Sequence, residues 1–214
     1  SAAVLSDEER RWLTRAAAAV GAANGRALVT AGPVTGVQTA YWAAQINDAI
    51  GAAGETLKLT SPVADLDADT ASLDELVADI NAGQVDVLVI LDANPVYTAP
   101  ATLDFAGALS KVKTSIHIGL YRDETGHRCT WQLPLSHDLE SWSDARAVDG
   151  TATIIQPVIT SFYDVRSRHQ IIAMMLGRDE AADASLRKTW RDAFGESFDA
   201  KWKPALRDGF VAGD

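Results

Sequence analysis

The sequence predicts an α/β domain in which helices flank a mostly parallel sheet. Short apolar runs alternate with amphipathic helical patterns at the spacing of βαβ units. Residues 85–91 (VDVLVIL) are almost continuously apolar, which is typical of a strand buried on both faces of a parallel sheet. The length of 214 residues suffices to bury a core without disulfides. We expect one domain over 1–214, with the sheet core at 26–177 and a helical extension at 178–214.

Capping boxes and apolar periodicity predict the helices. Ser6 with Glu9 begins the first helix, which should continue to about residue 20. Two similar boxes, Ser72 with Glu75 and Ser167 with Gln170, predict later helices. The remaining helices are predicted from periodicity alone, at 37–53, at 102–109 and from 185 onward.

The predicted strands are short runs rich in aliphatic and β-branched residues. They are 26–31 (RALVTA), 57–59, 85–91, 112–120, 131–134 and 151–155. The polar, Asp-rich stretch 60–71 is expected to form a surface connection.

Charge and composition exclude several functions. Nineteen basic against 29 acidic residues give a net charge of −10, so nucleic acid and anionic lipid are poor partners. The longest apolar runs are too short for a membrane span, so we expect no direct membrane insertion. A basic segment followed by an apolar one is lacking at the start, so we recognise no targeting signal.

Two loops at predicted strand ends are candidate ligand sites. Gly32 and Gly36 bracket a loop between a strand and a helix, where backbone N–H groups can approach an anion. Because that loop lacks a GxGxxG or P-loop pattern, a plain tight turn is the alternative. Asp92, Asn94 and Pro95 follow the strand at 85–91, at the end where open α/β sheets bind ligands. This second loop is either a turn or the rim of a nucleotide cleft.

Other polar clusters fail as metal or catalytic motifs. The Asp-rich stretch 65–69 begins like a calcium loop but lacks its later Gly and Glu. His127, Cys129 and His137 match no metal-ligand spacing, so we interpret them as unrelated polar residues. The run 136–138 (SHD) cannot form a catalytic triad, because adjacent residues of an extended chain point in opposite directions.

Trp190, Phe194, Phe198 and Trp202 recur every four residues and predict one aromatic helical stripe. We interpret the stripe as packing that docks the tail, with a partner surface as the alternative.

From about residue 85 onward the order of short motifs resembles the molybdopterin oxidoreductase family. The motifs are LDANPVYTAP (91–100), IHIGLYRDETGH (116–127), WQLPLSHDLESWSDAR (131–146) and TIIQPVITSFYDVRSRHQIIAMMLG (153–177). In that family this region is a Rossmann-like domain that binds one guanosine half of a pterin dinucleotide. The resemblance implies that Asp92, Asn94, Pro95 and Thr125, together with Gly32 and Gly36, are vestigial cofactor-binding positions.

The sequences of 133–146 (LPLSHDLESWSDAR) and of the tail 189–213 (TW…W…ALRDGFVAG) are similar to one branch, the molybdopterin-like iron–sulfur subunit of bacterial alternative complex III. The resemblance implies a quinol-oxidising, electron-transferring parent that is exported to the periplasmic face of the inner membrane. The parent's partners are sibling domains and other subunits of a respiratory complex. Molybdopterin guanine dinucleotide and iron–sulfur clusters belong to the parent family. With Cys129 as its single cysteine, we expect no cofactor or metal in this chain.

Three functions follow from these observations. The first is a cofactor-free scaffolding domain excised from such a respiratory subunit, not catalytic by itself. It should expose apolar residues where sibling domains pack, with Trp131, Trp142 and the tail aromatics as candidates. The second is a guanosine-binding domain of an active molybdenum oxidoreductase, using 32–36 and 94–95. The third is a free-standing small α/β enzyme with His117 or His137 as general base.

Overall fold

The computed structural model describes residues 5–32, 34–60, 63 and 71–213, which group into two compact units, Ser1–Ser61 and Pro62–Asp214. Both units contain helices, and the second contains a parallel sheet with helices packed against it. The predicted α/β class is therefore confirmed. The Asp-rich stretch 65–69 lies outside the described residues.

Two helices build the first unit, α1 (Asp7–Ala22) and α2 (Val37–Ala49). The predicted capping box begins α1: the Ser6 N–H donates to Glu9 Oε2 at 2.7 Å, and the Glu9 N–H donates to Ser6 Oγ at 3.3 Å. The chain leaves the helix through Asn24 and Gly25, which both adopt positive φ.

The predicted strands at 26–31 and 57–59 are wrong, since neither segment pairs as a strand. Segment 26–31 has no regular secondary structure, and the backbone of Val29 is bound by a side chain of α2. The buried Asn47 accepts from the Val29 N–H at 2.9 Å and donates to the Val29 carbonyl at 2.8 Å. One amide side chain thus takes the place of a neighbouring strand. At 57–59 the structure has only an isolated bridge from Leu57 to Ala53.

The second unit contains the predicted parallel sheet. Its strands are β1 (Val87–Leu91), β2 (Thr114–Gly119) and β3 (Trp131–Pro134), in the order β1-β2-β3. The register aligns Val89 with Ile116 and Trp131. Because all three strands run in one direction, their carboxyl ends meet at one edge of the sheet, where the Asp92–Pro95 loop begins.

Helices lie against both faces of this sheet. They are α3 (Leu73–Asn81), α4 (Pro95–Thr98), α5 (Phe105–Leu109) and α6 (Arg168–Met175), with a 3₁₀ turn at Ala101–Leu103. Ile80 of α3 and Leu109 of α5 pack against Ile90 on one face. Ile171 of α6 packs near Ile118 on the other. The capping boxes predicted before α3 and α6 are both present.

A small antiparallel sheet follows, with β4 (Ser143–Arg146), β5 (Ala152–Ile155) and β6 (Phe210–Val211). The strand predicted at 151–155 is confirmed as β5, while β4 and β6 were not predicted. Two helices pack on this sheet, α7 (Ala182–Phe194) and α8 (Phe198–Asp208).

The predicted aromatic stripe is divided between two helices, because a 3₁₀ turn at Gly195–Ser197 separates α7 from α8. Trp190, Phe198 and Trp202 are buried with Ile154 of β5, and Phe198 stacks on Trp202 with ring centroids 5.5 Å apart. The packing interpretation is confirmed. The expectation that the tail aromatics are exposed, and the alternative of a partner surface, are wrong because these rings form the core of the small sheet.

Candidate functional site

A cleft of about 320 Å³ opens at the carboxyl ends of β1 and β2, where the sequence predicted a ligand site. Its walls come from the loop after β1, from β2 and from the loop that follows β2. The lining residues are Asp92, Ala93, Asn94, His117, Gly119, Leu120, Tyr121 and Asp123. Two of these side chains are carboxylates, and none is a lysine or an arginine.

The structure brings Asn94 and Thr125 into direct contact. The fully buried Thr125 hydroxyl donates to Asn94 Oδ1 at 2.7 Å and accepts from the Val96 N–H at 3.1 Å. The second bond satisfies a free N–H at the start of α4, which begins at Pro95. Asn94 precedes that helix but does not cap it with its own side chain, because its amide is turned toward Thr125.

The nitrogen of the Asn94 side-chain amide also has a hydrogen-bond partner. Its Nδ2 donates to Glu124 Oε2 at 2.7 Å, and this bond lowers the pKa of the exposed Glu124 carboxyl. Asn94 therefore links the loop after β1 to the loop after β2 through both of its amide atoms. Oδ1 already accepts from Thr125, so a ligand that used it would compete with that residue, whereas Nδ2 keeps a second N–H that a ligand can use.

Asp92 is bound by an arginine from a distant part of the chain. The residue adopts a left-handed conformation, with φ of +53°, directly after β1. Its Oδ2 accepts from Arg168 Nε at 2.8 Å and Nη2 at 2.6 Å. Arg168, the first residue of α6, also donates from Nη1 to Asp138 Oδ1 at 2.6 Å. The hydrogen bond to Asp138, followed by that to Asp92, raises the pKa of the Arg168 guanidinium.

His117 lies at the floor of the cleft with 1 % of its surface exposed. Its Nδ1 is 2.6 Å from Gln132 Oε1, and its Nε2 is 3.1 Å from the Ala93 carbonyl oxygen. Asp123 Oδ2 is 3.7 Å from Nε2. Both ring nitrogens therefore lie within hydrogen-bonding distance of protein oxygen atoms, and the ring forms part of the cleft lining.

The second candidate base, His137, serves as a cap. Its Nδ1 accepts from the Leu139 N–H at 3.1 Å, and its own N–H donates to Glu140 Oε2 at 3.1 Å. These bonds begin a short 3₁₀ turn, Asp138–Glu140, at the surface. His137 does not line the cleft that contains His117.

Two glycines leave room for the His117 ring. A Cβ on Gly119 would lie 2.7 Å from His117 Cε1. A Cβ on Gly126 would lie 3.0 Å from His117 Nδ1 and would overlap Gln132 Oε1. The close approach of both backbones explains why glycine occupies these positions. Sequence reasoning missed Gly126 and Gln132, although the polar His117 inside the apolar strand sequence IHIG was a usable signal.

Gly32 and Gly36 belong to the first unit and form a turn of their own. The Thr35 N–H and Oγ1 donate to the Gly32 carbonyl at 3.0 and 2.5 Å. Gly36 precedes α2, and its carbonyl accepts from the Thr39 N–H at 2.9 Å. These bonds form a tight turn before α2, and an anion site here stays a prediction.

Cys129 is half-buried beside Ser115, and burial raises the pKa of its thiol. Across the described part of the chain, His, Cys, Asp and Glu side chains do not gather in threes that could hold a metal ion.

Of the aromatic residues expected on the surface, Trp131 is 60 % exposed, as predicted. Trp142 is half-buried against the core of the small sheet. Within the described ranges, no helix has the length and hydropathy to cross a membrane. No protein-family model matches the chain, and no curated protein matches it in sequence.

Proposed function

We propose that this chain is a Rossmann-like scaffolding domain of a respiratory subunit that resembles molybdopterin oxidoreductases. The parent subunit would take part in quinol oxidation and electron transfer on the periplasmic face of a bacterial inner membrane. This domain would hold sibling domains and neighbouring subunits in place, without a cofactor or a catalytic centre of its own. The motif order from residue 85 onward supports the family, and the parallel sheet is compatible with it.

The observation that carries the scaffolding role is the closed hydrogen-bond network at the carboxyl edge of the sheet. The candidate binding side chains spend their polar atoms on one another and on neighbouring loops: Asn94 on Thr125 and Glu124, and Asp92 on Arg168. The bond between Asn94 and the buried Thr125 hydroxyl is part-buried, so breaking it leaves a buried group unsatisfied at a cost of about 1–3 kcal/mol. The bonds to Glu124 and Arg168 are exposed and cost less to break. A nucleotide would have to offset that cost before it gained any affinity.

Charge also opposes a dinucleotide in this cleft. Asp92 and Asp123 line it, and Glu124 lies beside it. The nearby cation Arg168 is already bound by two carboxylates. A pyrophosphate would therefore meet negative charge with no free cation in the lining, which is the reverse of what phosphate sites provide.

Exposed apolar side chains on the second unit support a role in packing against other protein. Trp131 on β3 and Tyr121 in the loop after β2 are both mostly exposed. Large side chains of this kind are enriched at protein interfaces. A net charge of −10 disfavours nucleic acid as the partner.

A guanosine site is the second candidate function, and the position of the cleft favours it. The cleft lies beyond the carboxyl ends of two adjacent parallel strands, the place where open α/β sheets bind nucleotides.

Calorimetry and metal analysis separate the two functions. For a scaffolding domain we expect no heat from GDP up to millimolar concentration and no stoichiometric molybdenum or iron in the purified chain. Saturable heat that Asn94→Ala abolishes would establish the guanosine site. Stoichiometric molybdenum or iron would contradict the scaffolding proposal directly.

A further inference from the structure

The outer side of α6 carries an apolar surface that is independent of the cleft. We call it the α6 surface, and its members are aliphatic or thioether side chains that are all at least two-fifths exposed. They are Ile172 (49 %), Met174 (59 %), Met175 (65 %) and Leu176 (63 %) on or just after α6, and Leu133 (44 %) on β3. Leu133, Met174 and Met175 also line a groove of about 370 Å³ between α6 and β3.

We propose that the α6 surface is a self-association surface, on which a second copy of this chain packs through a two-fold axis. Ile172, Met175 and Leu176 are spaced at i, i+3 and i+4, so they form one stripe along the helix. A two-fold axis through this stripe places it against the same stripe of the second copy, with the two helices antiparallel. Such an isologous interface needs only one patch that is complementary to itself.

The exposed area fits a weak dimer. At roughly 100 Å² for a half-exposed aliphatic side chain, the five members together show roughly 500 Å² of apolar surface. Two copies would then bury about 1,000 Å², the lower bound of specific protein interfaces. Because interfaces at this limit are weak, we expect the chain to be monomeric when dilute and to dimerise only at high concentration.

Charge does not oppose self-association at the α6 surface. The chain carries a net charge of −10, so two copies repel each other over most of their surface. The α6 surface contains no ionisable side chain. At the rim of its groove, Asp164 and Arg166 neutralise each other in an ion pair. Contact between two copies at the α6 surface therefore adds no charge repulsion from the surface itself.

Sedimentation equilibrium of the whole chain between 5 and about 300 µM tests the proposal, and the charge variants Met175→Asp and Met175→Lys locate the surface. We expect the wild type to dimerise and each variant alone to associate at least about tenfold more weakly. An equimolar mixture of the two variants should dimerise again, because the two-fold axis places residue 175 of one copy beside that of the other. Val148→Asp, in the exposed turn between β4 and β5, is the control with the same added charge.

Each other result overturns the proposal. A wild-type chain that stays monomeric at 300 µM leaves the surface to a different partner. Dimerisation that survives Met175→Asp, or that Val148→Asp abolishes equally, places the contact elsewhere. A mixture that stays monomeric excludes the two-fold arrangement. Circular dichroism and thermal unfolding of each variant identify loss of folding, and Leu176→Ser then replaces any variant that fails to fold.

Discussion

Thr125 is the residue on which the connection between the two strand-end loops most directly depends. Its hydroxyl donates to Asn94 Oδ1 and accepts from the first free N–H of α4, and the side chain is fully buried. Valine has nearly the same shape but no hydroxyl. Thr125→Val therefore removes both bonds without leaving a cavity, and the Val96 N–H loses its partner.

The expected loss follows from those two bonds. The bond to Asn94 contributes about 1 kcal/mol, and a buried N–H left without a partner costs about 1–3 kcal/mol. Asn94 Oδ1 keeps a weaker bond from the Thr125 N–H at 3.3 Å, so Asn94 contributes less to the loss of stability than the Val96 N–H does. We expect Thr125→Val to lower the free energy of unfolding by about 2–4 kcal/mol.

Urea denaturation followed by tryptophan fluorescence measures this loss, and Thr98→Val is the matched control. Thr98 lies in α4, and its exposed hydroxyl donates to the Asn94 carbonyl at 2.9 Å. The control removes one exposed bond by the same chemical change, so its effect should stay within about 0.5 kcal/mol. A Thr125→Val loss below about 1 kcal/mol, or one equal to that of Thr98→Val, would refute the idea that Thr125 holds the two loops together.

Three further changes test neighbouring parts of the structure. Gly126→Ala places a methyl group against Gln132 Oε1 and should destabilise the chain by about 1–3 kcal/mol, read as a lower melting temperature; an unchanged value would contradict the close approach. Arg168→Gln leaves the partly exposed Asp92 without its cation and should cost about 1 kcal/mol at low salt and less in 1 M NaCl; a cost that does not depend on salt would contradict the electrostatic origin. The capping bond from Ser72 lowers the pKa of Glu75, so its stabilisation is complete above the ordinary carboxyl pKa and is lost as pH falls through the lowered value. Glu75→Gln keeps the cap without the charge, so the difference in melting temperature between wild type and variant should change between pH 6 and pH 3; an unchanged difference would contradict the assignment.

The sequence predicted those helices and strands that are determined by interactions between residues close together in the chain. The capping boxes at Ser6, Ser72 and Ser167 were predictable because both partners of each box lie within four residues. The continuously apolar run at 85–91 identified β1 because only a strand covered on both faces tolerates it.

Contacts between residues far apart in the sequence explain which strand predictions were wrong and which strands were missed. The run 26–31 has the composition of a strand, but the side chain of Asn47 binds its backbone, and no local pattern indicates that contact. β4 (SDAR) carries two charged residues in four and lacks an apolar run, so it was missed. It pairs with β5, which pairs in turn with β6 more than 50 residues further along the chain.

In the candidate site, too, the residues next to a recognisable strand were predicted, and those placed by long-range contacts were not. Asp92, Asn94 and Pro95 were predictable because they directly follow a recognisable strand. Arg168 was not predicted, because it reaches Asp92 across 76 residues of sequence. Gln132 was missed because its importance comes from register: it aligns with His117 only once β2 and β3 pair.

The connection between β2 and β3 explains why the polar side chains at the carboxyl ends of these strands are bound to one another. Parallel strands are usually joined by a crossover helix that covers one face. Here residues 120–130 form a loop with no helix, and the face beneath it is polar, with His117 and Gln132 side by side. Because this loop supplies Asp123, Glu124 and Thr125 to the strand-end network, it replaces apolar cover by hydrogen bonds. Such a network stabilises the fold only while every member is paired. That requirement opposes ligand exchange at the cleft and is compatible with the proposed scaffolding role.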